Sequence, residues 1–98
     1  METFSDLIQS DKPVLVDFYA DWCGPCKAMD PVIQEVAKEL TGKVRIIKIN
    51  IDKNTSAAQA YSVMAVPTYI LFRKGNILWR HAGMIDKSSL VKVLHQHA

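Results

Sequence analysis

The chain has 98 residues, of which 49% are hydrophobic and 22% are charged, and its formal net charge at pH 7 is +2. This length allows one compact core and is short for two, so we expect a single domain over residues 1–98. This small net charge argues against a protein that binds nucleic acid or anionic membranes, because such proteins typically carry an excess of basic residues. No apolar run approaches the roughly 20 residues that span a bilayer.

The chain opens with a predicted short helix followed by a buried strand. Phe4, Leu7 and Ile8 have helical spacing. No cationic start followed by an apolar segment precedes them, which favours a cytoplasmic location. Residues 14–20 are rich in β-branched and aromatic side chains and are apolar apart from Asp17, a pattern typical of a strand buried on both faces.

A long amphipathic helix is predicted next, from Pro25 to about Leu40. Its apolar residues recur at intervals of three and four, and Gly42 predicts its end. The β-branched segment 43–50 predicts a second strand, and residues 56–61 predict a short helix. The order strand, helix, strand in this part of the chain indicates two parallel neighbours in one sheet.

The last third of the chain predicts a β-hairpin and a closing helix. Residues 68–72 and 77–82 flank the turn-rich segment 73–76, so these two strands should pair antiparallel. A helix should run to His97 with Asp86 as its N-cap. The whole pattern predicts an α/β fold with a central mixed sheet of about four strands and helices on both faces.

Two cysteines, Cys23 and Cys26, lie where the first strand gives way to the long helix. The free N–H groups and the positive end of the helix dipole would stabilise a thiolate at Cys23, and the thiolate is the nucleophile in disulfide exchange. Cys26 lies one turn further in, so a disulfide can close without movement of the helix. We expect Cys23 to attack and to be reachable from outside, and Cys26 to resolve the mixed disulfide.

Two other interpretations of this pair stay open at this point, an inert pair and a zinc site. The CxxC spacing is short and loosely specified, so the bare pattern is compatible with inert cysteines. Tetrahedral zinc needs four ligands, and His81, His95 and His97 lack the paired spacing of a zinc module. We therefore expect no metal.

The sequence around the cysteines, Trp22-Cys-Gly-Pro-Cys-Lys27, resembles the hallmark motif of the thioredoxin family. The resemblance covers nearly the whole chain, and it implies the thioredoxin fold. Because the stretch before Val14 is short, we expect the leading edge strand of this family to be absent or vestigial. The further segments that resemble the family are residues 16–22, residues 48–52, Val66-Pro-Thr68, Lys74-Gly75 and Gly83.

This resemblance implies a thiol-disulfide oxidoreductase that reduces disulfide bonds in protein substrates and is regenerated by thioredoxin reductase. NADPH and FAD would be bound by that reductase, so the chain would bind no cofactor and would carry only its redox-active disulfide. Gly24-Pro25 is the dipeptide of reducing family members. We expect a monomer that binds neither nucleic acid nor membrane.

Two other functions stay open on the sequence alone. The first is an oxidant of an oxidising compartment, which would require a signal segment. The second is a docking subunit of a larger assembly, in which the cysteines would be dispensable.

Asp17 and Lys48 are the further catalytic residues that the resemblance implies. Asp17 would be the buried carboxylate behind Cys26 that helps to remove its proton, and Lys48 on the adjacent strand would be its partner. An acid in an apolar strand should be desolvated with a raised pKa, which suits a general base near neutral pH. The alternatives are an aspartate that faces solvent at a strand end and an ordinary surface lysine.

The resemblance also implies a substrate-binding rim around Cys23. Pro67 should follow a cis peptide bond, although trans is commoner for prolines in general, and the backbone of Val66 should face an extended substrate strand. A small exposed apolar patch of this kind marks a protein-docking site, whereas Val66 and Met84 could instead belong to the core. The predicted rim and loop residues are Trp22, Gly24, Pro25, Val66, Pro67, Gly83 and Met84.

Overall fold

The computed structural model describes residues 2–98 and contains one four-stranded mixed sheet with helices on both faces. Each predicted element is present, with its ends within two residues of the prediction. No helix in the described part of the chain is long and apolar enough to cross a bilayer. In chain order the elements are α1 Phe4–Leu7, β1 Val14–Tyr19, α2 Gly24–Glu39, β2 Arg45–Asn50, α3 Thr55–Ala60, β3 Thr68–Arg73, β4 Asn76–Ala82 and α4 Lys87–His97.

The sheet has the strand order β2-β1-β3-β4, so β1 and β3 are its inner strands. β1 is parallel to β2 and antiparallel to β3, and β3 and β4 form the predicted antiparallel hairpin. Residues 2–13 contain α1 and no strand. The predicted mixed sheet of about four strands is confirmed.

The sheet contributes alternate residues to two separate cores, because successive side chains of a strand point to opposite faces. Leu15 and Tyr69 pack in the core that includes α2 and α4. Val16 and Phe18 pack in the other core, together with residues of α1 and α3. Asp17 lies between these two residues, so alternation places it on the face of the sheet that α2 covers.

Local chemistry determines where the helix beside the cysteines begins. Cys23 has an extended backbone and is the N-cap of α2, and its N–H donates to the Ala20 carbonyl oxygen at 3.2 Å. Pro25 occupies the first turn, where a missing N–H leaves no helical hydrogen bond unmade. The chain therefore passes from the carboxyl end of β1 into α2 within a short turn, which places both cysteines at that edge of the sheet.

We expect Leu90→Ala to lower the free energy of unfolding by about 2 to 5 kcal/mol, because the fully buried Leu90 of α4 packs in the same core as α2 and its loss leaves a cavity. Denaturant unfolding measures the change. Lys92→Ala, at an exposed position of the same helix, is the control and should change this free energy by less than about 0.5 kcal/mol. Equal effects of the two substitutions would contradict the packing of α4.

Candidate active site

The candidate active site lies at the N-terminus of α2, where Cys23 and Cys26 form a disulfide with their Cα atoms 5.3 Å apart. The Cys26 N–H donates a hydrogen bond to Cys23 Sγ at 3.1 Å. Cys23 Sγ thus lies at the positive end of the helix dipole and accepts from a helix N–H group. In the dithiol form the same N–H group and dipole would stabilise a thiolate at Cys23.

The disulfide is largely covered, which differs from the expectation of a reachable Cys23. Cys23 is only 3% exposed, and Ala20, Ile51 and Val66 belong to the apolar cluster around the pair. The Val66 carbonyl oxygen lies 3.6 Å from Cys23 Sγ. Cys23 Sγ therefore lies against the loop that contains Val66, and a substrate must approach it past the residues that border this loop.

The loop that covers Cys23 has the predicted cis peptide bond, between Val66 and Pro67. Two hydrogen bonds fix the loop to the sheet. The Gly83 N–H donates to the Pro67 carbonyl oxygen at 2.8 Å, and the Thr68 hydroxyl donates to the Ala65 carbonyl oxygen at 2.6 Å. Gly83 has φ +95°, a backbone conformation that favours glycine. Val66, Pro67 and Gly83 therefore lie together beside Cys23.

Most predicted rim residues are accessible. Trp22, Gly24, Pro25 and Met84 are exposed, whereas Val66 is half-buried, so the alternative that Met84 belongs to the core is wrong. The Trp22 indole N–H donates to the Asp52 carboxylate at 2.9 Å, which holds the ring despite its exposure.

Met64 is an exposed apolar residue of the same loop that sequence analysis missed. Its side chain is 92% exposed, and it lies two residues before Val66 in the chain. Exposed apolar side chains next to a reactive centre are typical of docking surfaces. Its neighbours in the sequence, Val63, Ala65 and Val66, are also apolar, so the sequence carried no contrast that would have singled it out.

Asp17 is buried on the α2 side of β1 and is 2% exposed, which contradicts the alternative of a solvent-facing aspartate. Its Oδ1 atom is buried and has no hydrogen-bond partner in residues 2–98. Burial raises the pKa of Asp17 to about 6; Lys48 acts to lower this pKa, and Asp30 adds to the increase. A carboxyl group with this pKa can both accept and release a proton near neutral pH.

Lys48 lies opposite Asp17 in the pairing of β1 with β2, but its ammonium group binds a different carboxylate. Lys48 Nζ donates to Asp30 Oδ1 at 2.8 Å and lies 4.6 Å from the centre of the Tyr19 ring. The hydrogen bond to Asp30 is the main cause of the raised pKa of Lys48. Among the described residues, Asp17 has no ion pair with Lys48 within 4.0 Å.

Asp30 is thus a second acidic residue of the site that sequence analysis missed. It lies in α2 four residues after Cys26, so the two side chains share one face of the helix. Cys26, Asp30 and Lys48 line a cavity of about 280 Å³. The helical spacing from Cys26 was the signal that could have revealed Asp30.

The histidines of the zinc interpretation do not gather around the cysteines. In the chain from residue 2 onward, no three His, Cys, Asp or Glu side chains are grouped so that they could hold a metal ion. A ring nitrogen of His81 lies 3.0 Å from the Met84 carbonyl oxygen, and His95 and His97 lie in the last turn of α4.

Comparisons with known proteins agree with this geometry. The model of the thioredoxin family matches residues 1–96. The thioredoxin of Rickettsia conorii is 45% identical over 86 residues, which are 88% of this chain and 82% of the relative. The thioredoxin of Pseudomonas aeruginosa is 44% identical over 89 residues, 91% of this chain and 82% of the relative. Thioredoxin Y, chloroplastic, of Oryza sativa is 44% identical over 91 residues, 92% of this chain and 54% of that longer protein.

The buried carboxyl group of Asp17 predicts a distinctive dependence of stability on pH. Because its pKa is about 6 in the folded state against an ordinary value of 3.8, the folded protein keeps a proton that the unfolded chain releases. This contribution to stability is fully present below about pH 4 and is lost as the pH rises through about 6, a loss of about 3 kcal/mol. Asp17→Asn should therefore stabilise the oxidised protein at pH 8 and change little at pH 4.

Urea unfolding of the oxidised wild type and the Asp17→Asn variant between pH 4 and 8 measures this difference. Subtraction of the two pH profiles removes the contributions of groups that do not interact with Asp17. A constant difference over the whole range would show that the carboxyl group does not titrate there.

We expect Gly83→Ala to lower the free energy of unfolding by about 1 to 2 kcal/mol, because φ +95° is strained for any side chain with a Cβ atom. The matched control is Gly24→Ala, where φ is not positive and a Cβ atom meets nothing within 4 Å. Denaturant unfolding compares the two. A loss for Gly24→Ala as large as that for Gly83→Ala would argue against backbone strain as the cause.

Proposed function

Because the chain belongs to the thioredoxin family, we propose that Cys23 is its nucleophile, that Cys26 is its resolving cysteine, and that thioredoxin reductase regenerates the pair. The chain is a thiol-disulfide oxidoreductase that reduces disulfide bonds in proteins, and its redox-active group is the Cys23–Cys26 disulfide. The observation that carries the assignment of roles is the hydrogen bond from the Cys26 N–H to Cys23 Sγ at the start of α2.

In the first step, the Cys23 thiolate attacks one sulfur of a substrate disulfide. A bond forms between Cys23 Sγ and that sulfur, the substrate S–S bond breaks, and the second substrate sulfur leaves as a thiolate that takes a proton from water. The free N–H groups of α2 would favour the charged form of Cys23, and the hydrogen bond from the Cys26 N–H to Cys23 Sγ supports this assignment.

In the second step, the Cys26 thiol loses its proton and the resulting thiolate attacks Cys23 Sγ. The Cys23–Cys26 disulfide forms, the mixed disulfide breaks, and the first substrate sulfur leaves as a thiolate. Two electrons have then passed from the dithiol to the substrate. Asp17 is the proposed acceptor of the Cys26 proton, since it is buried on the face of the sheet that α2 covers and its pKa of about 6 lies near neutrality.

The rim and the loop are the proposed docking surface for the substrate chain. Trp22, Pro25 and Met84 offer exposed apolar area, and Val66 offers backbone groups next to Cys23, to which an extended peptide could hydrogen-bond. Met64 enlarges this surface on the side of the loop. Gly83 supports it indirectly through its bond to Pro67.

The remaining parts of the proposal concern the electron source and the compartment. Regeneration of the dithiol from the Cys23–Cys26 disulfide requires two electrons and two protons, for which we infer an NADPH-dependent thioredoxin reductase that carries FAD. The chain would thereby act in electron transport. A reducing compartment such as the cytoplasm suits this direction of flow, because protein disulfides do not persist there. We propose that the chain acts as a monomer.

Substitution of each cysteine tests the assignment of roles. Cys23→Ser should abolish reduction of insulin disulfides by dithiothreitol-regenerated protein, because the attacking sulfur is gone. Cys26→Ser should also lose turnover but should accumulate mixed disulfides through Cys23, detected by non-reducing gels and mass spectrometry. Ala28→Ser, at an exposed position of α2, is the control and should keep wild-type activity.

Two outcomes would contradict the proposal. Mixed disulfides that form through Cys26 in the Cys23→Ser variant, and not through Cys23 in the other, would reverse the roles. Full activity of both variants would favour a docking protein with dispensable cysteines. In a separate assay, failure of a thioredoxin reductase to consume NADPH with this chain and insulin would remove the reductase from the proposal.

A further inference from the structure

The ammonium group of Lys48 is held away from Asp17 by two contacts. It donates to Asp30 Oδ1 at 2.8 Å, and it lies over the Tyr19 ring at 4.6 Å from the ring centre. Lys48 and Asp17 are direct partners in the pairing of β2 with β1, so the backbone alone would allow the ammonium group to approach the buried carboxyl group. In the structure, α2 supplies a competing carboxylate instead.

The competition matters because Asp17 has few other partners. Its Oδ1 atom is buried with no hydrogen bond from the described residues, and its second neighbour across the sheet, Tyr69, also has a buried hydroxyl group without a partner. Charge on Asp17 is therefore sensitive to the position of nearby ions. The titratable or charged groups around Asp17 and the adjoining cavity are Lys48 on β2, Tyr69 on β3, Tyr19 on β1, Cys26, Lys27 and Asp30 on α2, and Asp21 in the turn before α2.

We propose that Asp30 is a positioning residue that holds the Lys48 ammonium group at the mouth of the cavity beside Cys26, so that this ammonium group forms no ion pair with the Asp17 carboxyl group. Asp30 acts in two ways that agree in sign. It engages the cation that would otherwise favour the ionised form of Asp17, and its own negative charge disfavours a second carboxylate nearby. The raised pKa of Asp17, to which Asp30 contributes, is consistent with this arrangement.

The consequence for the reaction rests on the proposed function. If Asp17 accepts the proton of Cys26, it must afterwards release that proton to water. The side chains of Lys48 and Asp30 are each 42% exposed and line the cavity with Cys26, so both groups are in contact with solvent on the side of Cys26. Loss of Asp30 would leave Lys48 free to pair with Asp17 and would make Asp17 a weaker acceptor.

A titration of Asp17 in the oxidised protein tests the proposal directly. In this state the cysteines form a disulfide and do not titrate, so the carboxyl 13C chemical shift of Asp17 reports one group. Asp30→Asn should lower the pKa of Asp17 by at least about 0.5. Asp30→Glu keeps a carboxylate for Lys48 and should restore a pKa close to that of the wild type. Glu35→Gln removes the same charge from an exposed position of α2 that faces Lys87 and should leave the pKa unchanged.

Removal of Lys48 separates the two ways in which Asp30 acts. In a Lys48→Met background, Asp30→Asn should lower the pKa of Asp17 by less than it does in the wild type, because no ammonium group remains to be released. Denaturant unfolding of each variant verifies that it is folded before titration. A pKa of Asp17 that is unchanged or raised in Asp30→Asn would overturn the proposal, and so would an equal decrease in both backgrounds.

A kinetic measurement tests the consequence for the reaction independently of the titration. The rate of the second step, measured by release of a peptide thiol from a mixed disulfide at Cys23, should have an acid limb that moves to lower pH in Asp30→Asn by the same amount as the pKa. If Asp17→Asn leaves this limb in place, Asp17 is not the proton acceptor, and the consequence for the reaction falls with it. A shifted titration in Asp30→Asn would still support the positioning of Lys48 by Asp30.

Discussion

The junction between β1 and α2 is the constraint on which the rest of the site depends. β1 is an inner strand of the sheet, paired on both sides, and all but its last residue are buried. The chain leaves its carboxyl end and begins α2 at Cys23, whose sulfur accepts the Cys26 N–H. Burial of one strand therefore delivers both a sulfur to a helix N-terminus and a carboxyl group, Asp17, to an apolar interior. The two placements have opposite electrostatic effects. The helix N-terminus favours negative charge on Cys23, whereas the apolar interior disfavours negative charge on Asp17.

The disulfide is covered while the rim around it is exposed, and this difference could make the site selective among protein substrates. Cys23 is nearly inaccessible beneath the Val66 loop, whereas Trp22, Met64 and Met84 offer apolar side chains to solvent. In the proposed reaction, a partner would first bind the rim and the loop, because Cys23 itself is only 3% exposed. The hydrogen bonds from Gly83 to Pro67 and from Trp22 to Asp52 hold this surface in place.

The fold and the centre of the site could be predicted from the sequence because their signals are local. Alternation, helical spacing and the Cys23-Gly-Pro-Cys26 turn each lie within one segment, and the resemblance to a family added the cis bond before Pro67. The pairing of Lys48 with Asp30 could not be predicted in this way, because it joins a strand and a helix that are 18 residues apart in the chain. The covering of Cys23 likewise depends on a loop 43 residues away. Exposure of Met64 has no signature in the sequence, since apolar residues in loops are as often buried.

The position of α2 between two paired strands has a mechanical consequence. The helix connects β1 to β2, and these strands are hydrogen-bonded parallel neighbours over their whole length. Both ends of α2 therefore connect to the same pair of hydrogen-bonded strands. The buried face of α2 packs against the sheet and α4. A hinge movement of this segment would require β1 and β2 to separate, so we expect the backbone of α2 to keep its position when the disulfide is reduced. In the proposed cycle between substrate and reductase, a backbone held in this way would need little rearrangement at each step.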